Sequence, residues 1–309
     1  MKSFSLIFSI ILLCATIVKS QTTEAEKVLK SNNLDTLLGW KKGGLITIAF
    51  TQVSLSKWAA GGENSIAGNG FVNLFANLKQ RKFAWDNNLD LGYGIIRQGD
   101  SEAPWIKSDD KIDFTSKYGQ KANEHLFYAG LLNFKSQFNA GYAKPGDSIA
   151  ISNFLSPGYI LLAIGMDYKP NDNVSIFVSP ITDKTTIVLD ELLSNAGAFG
   201  VEEGKKMRTE LGGYMKLLYK KDIKENITFG SRLELFANYL KFKTVKDVDV
   251  LWENVIAIKI SKYISANITT TLIWDNDVDI AWTDVNDNAH FGPTTQFKEV
   301  LGIGFSYKF

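Results

Sequence analysis

The densest group of potential metal ligands is an acidic run near the end of the chain. Asp275, Asp277 and Asp279 alternate with uncharged residues in this run. Alternating carboxylates suit a hard cation such as calcium, which takes about six to eight oxygen ligands. The run departs from the EF-hand pattern, because Ile280 stands where that pattern has glycine. Two interpretations stay open: a calcium site at these three aspartates, or a loop of solvated charge.

Hydrolytic chemistry has few candidate residues. Of the two histidines, His125 falls at a short predicted turn, and His290 lies in a long connection with no serine nearby. A serine hydrolase needs a serine and a histidine held together, and no Gly-x-Ser-x-Gly elbow is present. Spacing alone does not show whether loop carboxylates meet as in an aspartyl protease. We expect that the protein is not an enzyme and that it binds no cofactor.

Most other charged candidates lie in segments that alternate apolar and polar side chains, so that the two kinds occupy opposite faces of a strand. The polar faces carry both signs of charge, whereas a wide ion pore more often carries a ring of one sign. The candidates for lining an interior are Asp90, Asp113, Lys117, Lys135, Glu210, Lys216, Arg232, Glu234 and Glu253. The full inward set adds Lys79, Lys111, Asp167, Lys259 and Lys308. We expect paired side chains that partly fill a narrow lumen.

The elements that must position these charges are strands, because the period-two pattern runs from Leu45 to the last residue. Twelve strands are predicted, at about 44–53, 67–79, 84–97, 109–119, 125–138, 158–169, 173–180, 206–220, 225–240, 247–260, 263–275 and 297–309. The connections between them are alternately short and long, which is typical of an outer-membrane barrel with short periplasmic turns and long outer loops. The sequence therefore predicts an all-β fold, a transmembrane antiparallel up-and-down β-barrel. A soluble β-sandwich with aromatic core residues is the alternative.

The N-terminus predicts export. Lys2 precedes an apolar stretch over residues 4–18, and the sequence Val18-Lys19-Ser20 suits a cut after Ser20. We expect a signal peptide at 1–20, a periplasmic segment at 21–43 and the barrel at 44–309. Cys14 is the one cysteine and lies in the signal, so the mature chain has no thiol chemistry. Lipidation of Cys14 is disfavoured, because Leu13 stands where a small residue is wanted.

Charge balance gives no sign of nucleic-acid binding. The precursor has 34 basic and 33 acidic residues, and removing Lys2 and Lys19 leaves 32 against 33. A nucleic-acid-binding domain usually carries a clear basic excess. We expect outer-membrane lipid and the barrel-insertion machinery as partners, with an envelope protein as a further possibility.

The last residues match a known targeting pattern. Phe305, Tyr307 and Phe309 lie on one face of the final predicted strand. This arrangement resembles the C-terminal signature that the barrel-insertion machinery recognises in outer-membrane proteins. Three further segments, Gly39–Gly44, Ser54–Gly62 and Trp274–Asp277, resemble a family of uncharacterised outer-membrane β-barrels of the Bacteroidetes, known as a domain of unknown function. The resemblance implies a location in the bacterial cell outer membrane and no particular activity.

The sequence supports two functions for such a barrel. The first is a narrow, porin-like channel or transporter for small polar solutes, for which an aqueous path through the lumen would be evidence. The second is a non-conducting barrel that serves as a structural or assembly partner in an envelope complex. A closed lumen with large exposed apolar patches on the loops would favour the second function.

Overall fold

Twelve antiparallel strands form a closed barrel in the computed structural model, which describes residues 38–54, 64–99, 102–142, 146–171, 173–261, 263–283 and 289–309. The barrel strands are β1 (Gly39–Val53), β2 (Ser65–Lys79), β3 (Phe83–Gln98), β4 (Ile106–Lys121), β5 (Leu126–Ser136), β8 (Gly158–Asn171), β9 (Val174–Ile187), β10 (Met207–Lys224), β11 (Ile227–Asn238), β12 (Val248–Lys259), β13 (Ile264–Trp274) and β16 (Gln296–Lys308). Two small hairpins supply β6 (Gly141–Tyr142), β7 (Ala150–Ser152), β14 (Ile280–Thr283) and β15 (Ala289–Gly292). The predicted fold class and strand number are confirmed.

The barrel closes between its first and last strands. Strand β1 pairs with β16 from Leu45, opposite Lys308, to Ala49, opposite Gly304. Phe309 also exchanges backbone hydrogen bonds with Gly44, at 3.1 and 3.2 Å. Every other barrel strand pairs with the barrel strands before and after it along the chain. Closure satisfies the backbone groups that an open edge would leave unpaired in lipid.

The connections are short at one end of the barrel and long at the other, as predicted. The turn end carries the connections at 80–82, 122–125, 172–173, 225–226 and 260–263. The loop end carries those at 54–64, 99–105, 137–157, 188–206, 239–247 and 275–295. Strand β1 begins at Gly39, five residues before the predicted start of the barrel, and residues 1–37, with the expected signal peptide, lie outside the described residues.

The seventh barrel strand is longer than predicted. The predicted strand ends at Pro180, and proline lacks the N–H that a central strand donates. Strand β9 nevertheless continues to Ile187, and Pro180 lies at a bulge where the pairing shifts between Ile164 and Met166 of β8. The hydroxyl of Ser179 donates to the carbonyl oxygen of Ile164 at 2.8 Å. The bulge thus accommodates the proline without ending the strand.

The connection after β9 folds into a compact structure at the loop end. Helix α1 (Glu191–Asn195) begins after Asp190, whose side chain accepts hydrogen bonds from two backbone N–H groups of the first turn. A hydrogen bond from Asn153 and one from the backbone of Leu193 lower the pKa of the Asp190 carboxyl. Val188, Leu193 and Val201 form a small buried apolar cluster beneath the helix. The connection is therefore ordered by a short capped helix and its own small apolar core.

The outer face of the barrel is apolar and bordered by aromatic side chains. Exposed side chains along its middle include Ile48, Leu162, Ile164, Val178, Leu301 and Ile303. The turn end carries Trp40, Trp85, Tyr118, Tyr128 and Tyr168, and the loop end carries Tyr93, Trp105, Tyr239 and Trp252. Aromatic belts of this kind lie at the two membrane–water interfaces. No helix among the described residues is long and apolar enough to cross a membrane.

Candidate functional site

The lumen is crossed by ion pairs that join opposite walls of the barrel. The Lys111 ammonium of β4 lies 3.1 Å from a carboxylate oxygen of Glu253 in β12. Arg232 of β11 pairs with the same glutamate and, at 3.2 Å, with Asp113 of β4. Six strand positions separate β4 from β12 in the barrel order, in either direction. These four side chains, which we call the cross-lumen bridge, therefore span the barrel along a diameter.

Local pairing explains why these charges meet inside the barrel. Arg232 lies opposite Glu253 in the β11–β12 register, and Asp113 lies opposite Lys135 in the β4–β5 register, so each pair shares the inner face. The Asp113 side chain is 1% exposed and also accepts a hydrogen bond from Asn133 at 2.7 Å. A buried carboxylate is costly unless it is paired and hydrogen-bonded. The bridge meets this requirement with partners from three strands.

A second group of charges extends the bridge along one wall. The Lys135 ammonium donates to Glu234 at 2.8 Å, and Lys216 lies 3.2 Å from the other oxygen of the same carboxylate. Arg232 lies 3.7 Å from Glu234 and connects this group to the bridge. One carboxylate therefore serves three cations. The structure brings six of the nine predicted lumen residues into this single network.

The other three predicted lumen residues also face inward but lie elsewhere. Lys117 pairs with Asp167 at 2.5 Å, nearer the turn end. Asp90 accepts hydrogen bonds from Asn73 and Asn88, at 2.6 and 3.0 Å. Glu210 lies at the loop end. There it is 5% exposed, pairs with Arg208 at 2.8 Å and accepts a hydrogen bond from Asn238.

The two halves of the lumen differ in packing. We call the inner faces of β5, β8, β9, β10 and β11 the packed wall. This wall buries a cluster of apolar side chains next to the charged network. Its members are Ala129, Leu131, Leu161, Ala163, Phe177, Tyr214 and Phe236. We call the inner faces of β1, β2, β13 and β16 the open wall. Phe75 and Ser265 of this wall are buried near the turn end, whereas most of its small and polar side chains stay half-buried: Thr47, Ala49, Asn69, Asn267, Thr269, Thr271, Gly302 and Gly304. Phe71 faces the same space and is 37% exposed.

The cross-lumen bridge separates these two walls. Five strands lie on each side of the line from β4 to β12, and the packed wall occupies one of the two sides. On the other side, small and hydroxyl-bearing residues face the bridge. The arrangement suits a narrow polar passage with charged side chains along one edge and neutral polar ones along the other.

The acidic run, for which a calcium site and a loop of solvated charge were both open, lies among cations. Asp277 pairs with Arg208 at 3.0 Å and with Lys241 at 2.7 Å, and Asp275 lies 3.7 Å from Lys184. Burial raises the pKa of Asp277, but the hydrogen bond from Lys241 and the charge of Arg208 outweigh it, so the pKa is lowered. Among the described residues, no three potential ligands, Asp279 included, are placed to hold a metal ion. The nearby cations explain why: they neutralise the carboxylates that calcium would need.

The two histidines occupy unrelated places. The Nδ1 atom of His125 lies 3.1 Å from the carbonyl oxygen of Lys169, at the turn end. The ring of His290, in the β14–β15 hairpin, stacks on Trp282 with centroids 4.3 Å apart. The two rings thus lie at opposite ends of the barrel. The absence of enzymatic activity stays a prediction.

Sequence reasoning overlooked several inward polar residues. The alternation pattern extended to the strand ends would have found Lys169 and Asp249, which pair with Asp167 at 3.5 Å and Lys184 at 2.5 Å. Asn133, by contrast, carries no charge and gives no signal of its own. Its role appears only when its neighbour Asp113 is known to be buried.

The residues of the predicted insertion signal all face outward. Phe305, Tyr307 and Phe309 are 70%, 61% and 56% exposed. They lie at the turn end of the last strand, where the ring of Tyr307 stacks on that of Phe309 at 6.3 Å. A receptor outside the barrel could reach them. Recognition by the insertion machinery stays a prediction.

Comparison with known proteins identifies a family model over part of the chain. A family described as a protein of unknown function, DUF3078, matches residues 50–142. This finding supports the expected resemblance to a domain of unknown function, whereas the bacterial phylum stays an expectation. No curated protein sequence matches the chain.

Solved structures of similar shape are β-barrels of low sequence identity. An outer-membrane channel from Pseudomonas putida F1 is 9% identical at a TM-score of 0.42, over 88% of this chain and 96% of that one. The translocator domain of the autotransporter NalP from Neisseria meningitidis is 9% identical at a TM-score of 0.37, over 92% and 93%. The NanC porin is 8% identical at 0.37, over 84% and 98%.

Proposed function

We propose that this protein is an outer-membrane channel for small polar solutes, with its passage along the open wall and its narrowest point beside the cross-lumen bridge. The observation that carries the proposal is the asymmetry of the lumen. Buried side chains fill the half bounded by β5 to β11, whereas Thr47, Asn267 and Thr269 stay half-buried in the other half. The apolar outer face and its aromatic borders support the membrane location.

The lining indicates the class of solute. Hydroxyl and amide groups along the open wall donate and accept hydrogen bonds without net charge. The bridge at the opposite edge presents Lys111 and Arg232 beside Asp113 and Glu253. A small solute with its own donors and acceptors can exchange its hydrogen bonds with water for hydrogen bonds with this wall. An ion of either sign, by contrast, is repelled by the side chains of like charge in the bridge. We therefore propose weak ion selectivity and no catalytic step.

Single-channel conductance in planar bilayers tests this proposal. Thr269 faces the passage and Thr270, the next residue, faces outward, so Thr269→Trp and Thr270→Trp form a matched pair. We expect steady conductance from the wild type and a reduction of about twofold or more in Thr269→Trp, because an indole narrows the pore at that depth. Thr270→Trp should conduct like the wild type.

Silence from folded, inserted wild-type protein would refute the channel. Equal conductance of the two tryptophan variants would instead place the path elsewhere in the lumen. Folding of each variant is checked by its heat-modifiable migration on a gel before any trace is interpreted.

A second candidate function is supported by an exposed apolar ridge at the loop end. Phe138, Tyr142, Ile149, Ile151 and Phe154 are 44–67% exposed on the connection that carries the β6–β7 hairpin. Asp110 anchors this connection to the barrel by accepting the backbone N–H of Phe138 at 2.7 Å. Such a ridge suits a protein contact. If the wild type is silent, crosslinking in intact cells from a photoreactive amino acid substituted at Ile151 tests a role as partner in an envelope complex.

A further inference from the structure

The two ends of the barrel carry opposite net charge, although the chain as a whole is nearly neutral. Four basic and three acidic residues precede residue 38, which leaves 30 of each in the rest of the sequence. We define the turn-end rim as residues 38–42, 78–84, 119–128, 168–175, 219–229, 258–264 and 307–309. This rim contains 13 basic and four acidic residues, so 17 and 26 remain elsewhere. The rim thus has an excess of nine positive charges, which the remainder of residues 38–309 balances.

Several rim cations are directed to solvent. Arg81, Lys82, Lys121, Lys221 and Lys224 are all exposed. The described acidic residues of the rim are Glu124, Asp222 and Glu225, and the Asp222 carboxylate accepts a hydrogen bond from Thr228 at 2.8 Å. The four carboxylates of the rim sequence are far fewer than its 13 cations, even though Lys169 also pairs with Asp86 and Asp167 outside the rim. The rim therefore presents a positive field at the turn end.

The rim lies next to the aromatic border of the outer face. Trp40 and Trp85 are exposed there, with ring centroids 5.9 Å apart. The ammonium of Lys42 lies 5.4 Å from the ring centre of Trp40. Indole rings at a barrel border lie at the depth of the lipid headgroups. The rim cations are therefore close to the level of the lipid phosphates.

We propose that the turn-end rim binds the phosphate groups of anionic phospholipids in the leaflet that faces the turns. Exposed cations lie at the start of β1 and beside three of the turns, at 80–82, 122–125 and 225–226, with no concentration at one point. Lys169, beside the turn at 172–173, pairs instead with Asp167 inside the barrel. A ring of lipid surrounds the whole circumference of a barrel, whereas an acidic protein would need a local patch. This distribution favours lipid. The inference rests on the proposed membrane location but not on conduction, so a silent barrel leaves it intact.

Native mass spectrometry of the full chain released from mixed nanodiscs tests the proposal. The measured quantity is the ratio of bound phosphatidylglycerol to bound phosphatidylcholine. The test variant neutralises four exposed rim cations: Arg81→Gln, Lys82→Gln, Lys221→Gln and Lys224→Gln. The control variant neutralises four exposed lysines of the loop end, with the same change of net charge: Lys205→Gln, Lys206→Gln, Lys243→Gln and Lys246→Gln.

We expect the wild type to prefer phosphatidylglycerol and to lose that preference as salt screens the rim. Each cation near a membrane surface contributes about fivefold to binding of anionic lipid. The rim variant should therefore lose at least about tenfold in the ratio, even without full additivity. The loop-end variant should keep the wild-type ratio.

Four results would overturn the proposal. In the first, the wild type shows no preference for phosphatidylglycerol, or shows a preference that salt does not reduce. This result depends on the wild type alone, so it does not require any variant to fold. In the second, the rim and loop-end variants lose the preference equally. In the third, inorganic phosphate removes the preference although chloride at equal ionic strength does not, which would show recognition of the free anion. Selective retention of an acidic protein by the rim, with no lipid preference, would likewise exclude lipid as the occupant.

Discussion

Removing Arg232 should destabilise the barrel far more than removing a comparable cation from an exposed ion pair. Its guanidinium lies 3.2 Å from Asp113 and also contacts Glu253 and Glu234. The Asp113 side chain is 1% exposed. In Arg232→Met a side chain of similar length replaces the charge, so three carboxylates lose their shared partner while the space stays filled.

The expected cost is about 3 kcal/mol, at the low end of the range for breaking a buried pair by removing one partner. The low end applies because Lys111 stays 4.0 Å from Asp113 and Lys135 still binds Glu234. The matched control is Lys298→Met. Lys298 of β16 pairs with Asp109 of β4 at 2.7 Å, also across the lumen, but the two side chains are 49% and 36% exposed. That variant should lose only about 0–1 kcal/mol.

The free energy of unfolding is measured by guanidinium titration of the barrel in lipid vesicles, with tryptophan fluorescence as the signal. Asp113→Asn and the double variant complete a cycle, in which the two substitutions should be clearly less than additive. If Arg232→Met lowers the free energy of unfolding by no more than Lys298→Met does, the cross-lumen bridge does not stabilise the barrel as its burial implies. Additive effects in the cycle would contradict a direct coupling of Asp113 with Arg232.

Two further predictions follow from individual contacts. Gly165→Ala should lower the free energy of unfolding by about 1–3 kcal/mol, because the added Cβ would clash with the carbonyl oxygen of Val178. The control is Gly130→Ala, which should be neutral in the same titration because a Cβ at Gly130 meets nothing within 4 Å. The pKa of Asp277 is lowered in the fold, so its stabilising contribution is complete above the ordinary aspartate pKa of about 3.9 and is lost as the pH falls through the lower folded value. The difference in unfolding free energy between the wild type and Asp277→Asn should shrink over that acidic range. A difference that is constant with pH would show that Asp277 acts through packing.

The strands could be predicted because their physical cause is local. Alternating side chains sort to the two faces of an extended chain, whatever the rest of the molecule does. All twelve barrel strands coincide with predicted ones, and most ends agree within a few residues. The exception, the extension of β9 to Ile187, depends on a bulge that absorbs Pro180 against β8. The position of that bulge depends on the pairing with β8, which local sequence does not show.

The predicted lumen residues were identified by type and face but not by partner. Alternation places Asp113, Arg232 and Glu253 on inner faces, and local reasoning goes no further. Asp113 and Arg232 are 119 positions apart in sequence, and Lys111 and Glu253 are 142 apart. Their meeting depends on the number of strands and on the stagger of each pair. The partners of the acidic run were missed for the same reason, because the pairing of Asp277 with Arg208 and Lys241 joins three separate segments.

What the sequence determined by itself is everything that depends on neighbours along the chain: the strands, the sorting of short and long connections, the apolar outer face and the charge of the turns. What only the tertiary structure decided is how the lumen is divided. A closed ring of twelve strands sets β4 opposite β12 and so divides the interior into a half that is filled and a half whose inner side chains are mostly small and half-buried. The physical reason is that side-chain alternation is a property of each strand, whereas the distance across a barrel is a property of the closed ring.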